Sequence, residues 1–276
     1  MMKKQSNCVA IVQARLSSTR LPGKVLAPVA GLEILGHVLA RLTVCQYIDN
    51  IIVATTTNPA DDPLLDYLET SFPHIGRFRG EEDDVLDRYR SAARAFAADT
   101  VVRVTSDSPL IDPAVVDAVA CVRADGGYDY ASNSLAPTLP DGLDAECFTM
   151  EALDRAWQAA RRAEEREHVT PYLRMHPERF SLANVSWRRN LSGLCWAVDT
   201  PADLDFVQAL AAHLDIRDPA NYAFERVLAV LDAHPEVTAL NGGAVRDHKL
   251  IAQLPEIFTA HGARFAHHAA PLESLS

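Results

Sequence analysis

Four short runs rich in apolar and β-branched residues, Cys8–Val12, Ile51–Thr55, Val101–Thr105 and Leu194–Val198, are separated by stretches with helical periodicity. Near-continuous apolarity, with no polar face, fits strands covered on both sides, as in a mainly parallel sheet. The intervening stretches supply the covers. Leu35–Leu42 follows the first run, and Pro63–Leu68 follows the second, with Asp62 placed as cap and Pro63 at the first helical position. Val85–Ala98 is a longer amphipathic stretch, Asp112-Pro113 opens a helix after the third run, and Thr200-Pro201 opens one after the fourth. Strands alternating with helices predict an α/β fold, a three-layer α/β/α sandwich around a mainly parallel mixed sheet.

Residues 126–190 break this rhythm, with Gly126-Gly127, Pro137, Pro140, a helix near Met150–Ala163 and a mixed Arg/Glu run. We expect this segment to leave the sheet as an excursion that covers the acceptor side of a site and supplies a dimer surface. The expected division is a main domain over residues 7–212 and a helical extension over 213–276, ending in a weakly structured tail from Ala266.

Lys and Arg total 26 against 37 Asp and Glu, a formal charge of -11. A duplex nucleic-acid binder needs a dominant basic surface to displace counterions, so no nucleic-acid partner is expected. The five cysteines are far apart, without a C-x-x-C pair, so neither a disulfide framework nor a zinc ribbon is indicated. Lys3 and Lys4 precede an apolar run too short for a signal-peptide core, and no later stretch approaches membrane-spanning length. The cytoplasm is the default expectation, with no membrane partner.

In an open α/β sheet, ligands gather outside the carboxyl ends of the strands. The first run leads into Gln13-Ala14-Arg15-Leu16-Ser17-Ser18-Thr19-Arg20-Leu21-Pro22-Gly23-Lys24. Three cations, several hydroxyls and a glycine in one loop suit a polyphosphate, although a solvated basic loop has the same composition. It is not a Walker A loop, which would need Gly at Ser18 and Ser or Thr at Val25. The third and fourth runs end in Asp107-Ser108-Pro109 and Asp199-Thr200-Pro201. Two such carboxylates can jointly hold a hard divalent cation, and the same spacing can instead make turns or helix caps. The acidic run Glu81–Asp84 precedes a helical pattern and reads as helix-dipole complement. His168 has no partner histidine at zincin spacing, which leaves an acceptor contact or a dimer contact. Neither a G-x-S-x-G elbow nor a strand-following G-x-G-x-x-G occurs.

The segment Ile11-Val12-Gln13-Ala14-Arg15, with Ser17, Ser18 and Arg20-Leu21-Pro22-Gly23-Lys24, resembles the opening signature of the CMP-sugar-acid synthetases, and most closely the spore-coat polysaccharide biosynthesis protein F group. Arg79-Gly80, Asp83–Tyr89, Thr105–Ile111, Pro140–Glu146, Arg166–Tyr172 and Val198–Leu204 continue the resemblance in order over roughly residues 8–210. It implies a nucleotide-diphospho-sugar transferase-like fold and a Mg²⁺-dependent cytidylyltransferase that transfers CMP from CTP to a sugar-acid, sugar-phosphate or related anionic acceptor. Polysaccharide or glycoconjugate biosynthesis is the implied setting, and a homodimer the implied assembly. By the same resemblance, Arg15 and Lys24 would hold the triphosphate, with Ser17 in the same loop, and Asp107 and Asp199 would bind Mg²⁺. Arg15, Lys24 and Asp107 are the implied catalytic set. Ala14, Arg79 and Thr105 would lie near the cytidine, and Asp141, Asp144, Glu146 and His168 would face the acceptor. The synthetases often approach the metal Asp through a polar-Gly-Asp step, where this chain has Thr105-Ser106-Asp107, so base selectivity is left open.

Two other functions use the same fold, a nucleotide-sugar-dependent glycosyltransferase and a non-catalytic nucleotide binder. The first normally carries Asp-x-Asp after a strand, and Asp107-Ser108-Pro109 lacks the second Asp.

Overall fold

The computed structural model describes residues 6–219 and 223–241 and the backbone of residues 265–269. The N-terminal half contains β1 (Cys8–Gln13), a 3-10 turn at Lys24–Leu26, the small hairpin β2 (Pro28–Val29) and β3 (Leu32–Glu33), α1 (Ile34–Leu42) and β4 (Asn50–Thr56). There follow α2 (Asp62–Ser71), β5 (Gly76–Gly80), α3 (Val85–Ala95), β6 (Thr100–Thr105) and α4 (Pro113–Gly126). The next stretch holds β7 (Tyr130–Ser132), β8 (Glu146–Thr149), α5 (Met150–Ala159), α6 (Ala163–His168), α7 (Pro171–Met175) and β9 (Leu182–Ser186). The last elements are α8 (Pro201–Ala211), α9 (Phe224–Ala233), α10 (Pro235–Thr238) and β10 (Phe265–Ala269).

Among the described residues, the main sheet has eight strands in the order β10-β9-β7-β8-β6-β1-β4-β5. Only β8 runs antiparallel to its neighbours. Along β1, Ala10 and Val12 enter one core and Val9 and Ile11 the other, the period-2 alternation of a strand buried on both faces. Residues of α1, α2 and α4 cover the first face, and those of α3, α5 and α7 the second, giving the expected three layers. Each fully buried Val, Leu or Ile contributes about 1.5–3 kcal/mol, so these faces hold the sheet against its helices.

The chain winds from β1 outward through β4 to β5, then returns to place β6 on the other side of β1. The direction reverses at β1, and the loops after β1 and β6 meet there. Such a reversal opens a crevice at the carboxyl ends of the strands.

Three expectations need correction. Residues 126–190 do not leave the sheet; they supply β7, β8 and β9. The run Leu194–Val198 is not a strand of the sheet. It is apolar because Trp196 and Val198 sink into a third core with α8 and α9, and its one ladder contact is an isolated bridge from Cys195 to Asp141. The described residues that follow 212 are not set apart either, up to Val237. Phe224, Val227, Leu231 and Val237 share that third core, Asp112 accepts the Phe224 N–H at 2.8 Å, and Arg41 donates to the Ile216 carbonyl at 2.7 Å. Of the tail from Ala266, the backbone through Ala269 belongs to β10, which pairs with β9, and the rest lies outside the described residues. Among the described residues, no helix is long and apolar enough to cross a membrane.

Candidate active site

The loop after β1 is shaped before any ligand is considered. Gly23 has φ 70°, which glycine adopts at no steric cost, and its N–H closes the loop onto the Leu16 carbonyl at 3.0 Å. Asp61, buried at the start of α2, accepts the Leu16 N–H at 2.7 Å and the Thr56 hydroxyl. That leaves α2 without a side-chain cap, so Asp61 braces the loop instead, and Asp62 is the helix's first residue rather than its cap. The turn at Lys24–Leu26 then drops Lys24 inward, where it is buried.

Lys24 joins the two aspartates. Its Nζ donates to Asp107 Oδ2 at 2.6 Å, Asp199 Oδ1 at 2.7 Å and the Val198 carbonyl at 2.9 Å. Burial opposes the charged ammonium, but Asp107 and Asp199 outweigh it and hold the Lys24 pKa above the ordinary lysine value. Arg20 reaches Asp199 at 2.9 Å. Neither aspartate is a helix cap: Asp112 caps α4, and Thr200 caps α8 in a reciprocal pair with Asp203.

Backbone bonds deliver Asp199 to Asp107 although Leu194–Val198 is not a sheet strand. The Val198 N–H donates to the Asp107 carbonyl at 2.8 Å. On the other side, the Asp141 N–H donates to Leu194 and the Trp196 N–H to Asp141, at 2.9 and 2.7 Å. Gly142 makes that contact possible: its φ is 93°, and a Cβ there would lie 2.5 Å from the Ala197 nitrogen. Arg41 supports the Asp107 loop from behind through the Pro109 carbonyl at 2.8 Å.

Two hollows meet at these carboxylates. The first, about 330 Å³, is lined by Ala14, Arg15, Ser18, Thr19, Arg20, Lys24, Val85, Arg88, Thr105, Asp107, His168 and Asp199, among others. The second, about 240 Å³, is lined by Arg103, Ser134, Asp141, Asp144, Glu146 and Arg174 and shares Thr105, Asp107 and Asp199 with the first. One side offers cations and hydroxyls, the other a mixed polar pocket, and the paired aspartates stand between them.

Most of the residues singled out in sequence line one hollow or the other. Ser17 is exposed and lines neither, its neighbours Ser18 and Thr19 taking that place. Arg79 also lines neither; it donates to the Thr56 and Asn58 carbonyls and pairs with Asp62, tying β5 to the loop after β4. His168 lines the first hollow rather than the second. Its direction is set by Val169, whose φ 71° and ψ -56° form a γ-turn closed by the Thr170 N–H on the His168 carbonyl at 2.8 Å. This turn is rare and strained, above all for a β-branched residue. Strain of this kind persists where packing over-determines it, and Val169 is fully buried.

Glu146 is less a contact than a support. It is buried, and accepts from Arg103 at 2.6 Å, Tyr130 at 2.6 Å and Thr170 at 2.7 Å. Burial pushes its carboxyl up, but Arg103, Arg174 and the two hydroxyls bring it below the usual glutamate value.

Sequence reading missed Arg88, Arg103 and Arg174. Arg88, 2 % exposed, is held by the backbone carbonyls of Glu81 and Glu82 and forms no ion pair among the described residues. Its Nε has no hydrogen-bond partner there. Burial pulls its pKa down, with Arg15 nearby adding to this, yet a guanidinium stays charged. A charge on an amphipathic helix reads as a solvated face, and the acidic run before α3 reads as a helix-dipole complement, so neither marks Arg88.

A family profile described as Cytidylyltransferase matches residues 9–225. The chain belongs to this cytidylyltransferase family. Among its relatives, "Uncharacterized protein MJ1063" of Methanocaldococcus jannaschii is 32% identical over 235 residues, 84% of this chain and 93% of that protein. The spore coat polysaccharide biosynthesis protein SpsF of Bacillus subtilis is 31% identical over 207 residues, 72% of this chain and 84% of SpsF. A solved cytidylyltransferase from Leptospira borgpetersenii superposes with TM-score 0.79 at 28% identity, covering 85% of this chain and 97% of that one. These likenesses agree with the nucleotide-diphospho-sugar transferase-like fold.

Proposed function

We propose that this chain transfers CMP from CTP to an anionic acceptor of the sugar-acid or sugar-phosphate class, releasing pyrophosphate, in surface-polysaccharide or glycoconjugate biosynthesis. The observation that carries the reading is the meeting of a cation-lined hollow and a polar hollow at Asp107 and Asp199. In the first hollow, Arg15, Arg20, Lys24 and Arg88 would neutralise the triphosphate, and Ala14 and Thr105 would lie near the cytidine. In the second, Arg103 and Arg174 would receive the acceptor's anionic group, and Asp141 and Asp144 its hydroxyls.

The carboxylates fit a hard divalent cation: both are oxygen donors, both retain solvent exposure, and both already converge on a single positive charge, the Lys24 ammonium. Asp107 and Asp199 would hold Mg²⁺, which when bound supplies Lewis acidity and charge neutralisation at the phosphates. The remaining work falls to the protein. An acceptor oxygen would attack the α-phosphorus in line, so the chain has mainly to align reactants and offset charge. Arg15 and Lys24 would stabilise the departing pyrophosphate. His168, held by the strained turn, would fix the substrate between the hollows. A cytoplasmic setting and a homodimer are part of the same proposal.

The test is pyrophosphate release with each nucleoside triphosphate against a panel of sugar acids, sugar phosphates and polyol phosphates. The expected result is release with CTP and at least one anionic acceptor, requiring a divalent cation. Release that needs no acceptor, or that is equal with every nucleotide, would overturn it.

A further inference from the structure

We propose that His213, His234 and Glu236 form a second metal site, for a first-row transition ion such as Zn²⁺, remote in kind from the hard-cation chemistry of the aspartates. His213 follows α8, His234 stands at the junction of α9 and α10, and Glu236 lies in the first turn of α10. One donor atom from each lies within 4.8 Å of those of the other two. The two imidazoles stack with centroids 3.8 Å apart at 27°, and His234 Nδ1 is 3.0 Å from Glu236 Oε1.

This grouping is held by the fold. Phe206, Val207 and Leu210 of α8 share one core with Phe224, Val227 and Leu231 of α9 and Val237 of α10. The His213 N–H is fixed on the Leu210 carbonyl at 3.0 Å and the His234 N–H on Val230 at 2.8 Å. The backbones are therefore set, and to bind one ion the two rings must rotate out of their stack so that their in-plane nitrogen lone pairs converge. Zinc takes imidazole nitrogen at about 2.0–2.1 Å and carboxylate oxygen at about 2.0–2.2 Å, so tetrahedral ligand atoms stand about 3.4 Å apart, against donors now within 4.8 Å of one another.

The donor types select the ion. Two imidazoles and one carboxylate suit zinc and its neighbours, whereas Mg²⁺ favours all-oxygen sets such as Asp107 with Asp199. A fourth position is left for water. None of the three residues lines either hollow of the active site, so the ion would staple the end of α8 to the α9–α10 junction rather than take part in turnover. Binding to the folded chain alone raises stability by mass action.

The full chain, freed of metal by a chelator, would be titrated with Zn²⁺ by calorimetry and followed by thermal unfolding, with Mg²⁺ alongside. One equivalent of Zn²⁺ should bind and raise Tm, and Mg²⁺ should not displace it. The double variant His213→Ala/His234→Ala should lose both the equivalent and the Tm shift while keeping Mg²⁺-dependent pyrophosphate release. Glu236→Gln leaves both rings in place and should weaken binding at least tenfold. The proposal is overturned if the native chain binds no Zn²⁺, or if the double variant binds it as tightly, since cysteine or aspartate would then be the ligand.

Discussion

The Val198 N–H donates to the Asp107 carbonyl at 2.8 Å, and this bond joins the two segments that carry the site's carboxylates. Lys24 then spans both side chains. Three regions distant in sequence thus converge by backbone pairing first and charge second. Their positions are set by the fold, so the charged groups can be altered without dissolving it.

Asp107→Asn and Asp199→Asn should each lower pyrophosphate release by about 10²–10³-fold, comparable to removing one preorganised electrostatic contact. Far-UV circular dichroism of both variants should match the native chain. Turnover within threefold of native for either one would remove that residue from the chemistry.

Lys24→Met leaves two carboxylates facing one another. Breaking a buried pair costs about 3–5 kcal/mol, and the solvent exposure of both aspartates argues for about 3 kcal/mol or less. The folded pKa of Lys24 is raised, so its stabilisation is complete below the unfolded lysine value and is lost as pH rises through the folded one. Urea midpoints should show a constant gap between native and variant at neutral pH, closing only above about pH 10.

Glu146→Gln tests the support beneath the second hollow. The variant leaves the half-buried Arg103 without its carboxylate, a loss of about 3 kcal/mol or less. Glu146 has a lowered folded pKa, so its contribution is present above the unfolded value, about 4.3, and is lost as pH falls through the folded one. Native and variant stabilities should therefore differ at pH 7 and converge in strong acid.

Gly142→Ala should destabilise the chain by more than about 1 kcal/mol, because the position has positive φ and its Cβ would meet the Ala197 backbone. The displaced loop carries Asp141 and Asp144, so KM for the acceptor should rise more than KM for CTP. Equal changes in both would show that the loop does not serve the acceptor alone.

The interior strands were legible because burial on both faces leaves a continuous apolar signature, as in Cys8–Val12 and Val101–Thr105. The strand β5, Gly76–Gly80, carries two arginines and sits at an edge of the sheet, where charge is tolerated, so no apolar run marked it. Tyr130–Ser132 is too short for periodicity to register. Leu194–Val198 misled in the other direction, since apolarity reports burial and not pairing, and this run is buried against helices. In the site, Lys24, Asp107 and Asp199 could be read from their places after apolar runs. Arg88 could not, because nothing in a helical pattern says that a guanidinium is buried.

The most direct measurement follows the label of CTP radiolabelled on its α-phosphorus in the presence of Mg²⁺ and a sugar-acid acceptor. The expected result is label in an acceptor-linked CMP with one pyrophosphate per product, formed about 10²–10³-fold more slowly with Asp107→Asn. Label that remains in CTP across the whole acceptor panel, or that transfers equally well with Asp107→Asn, would contradict the proposed function.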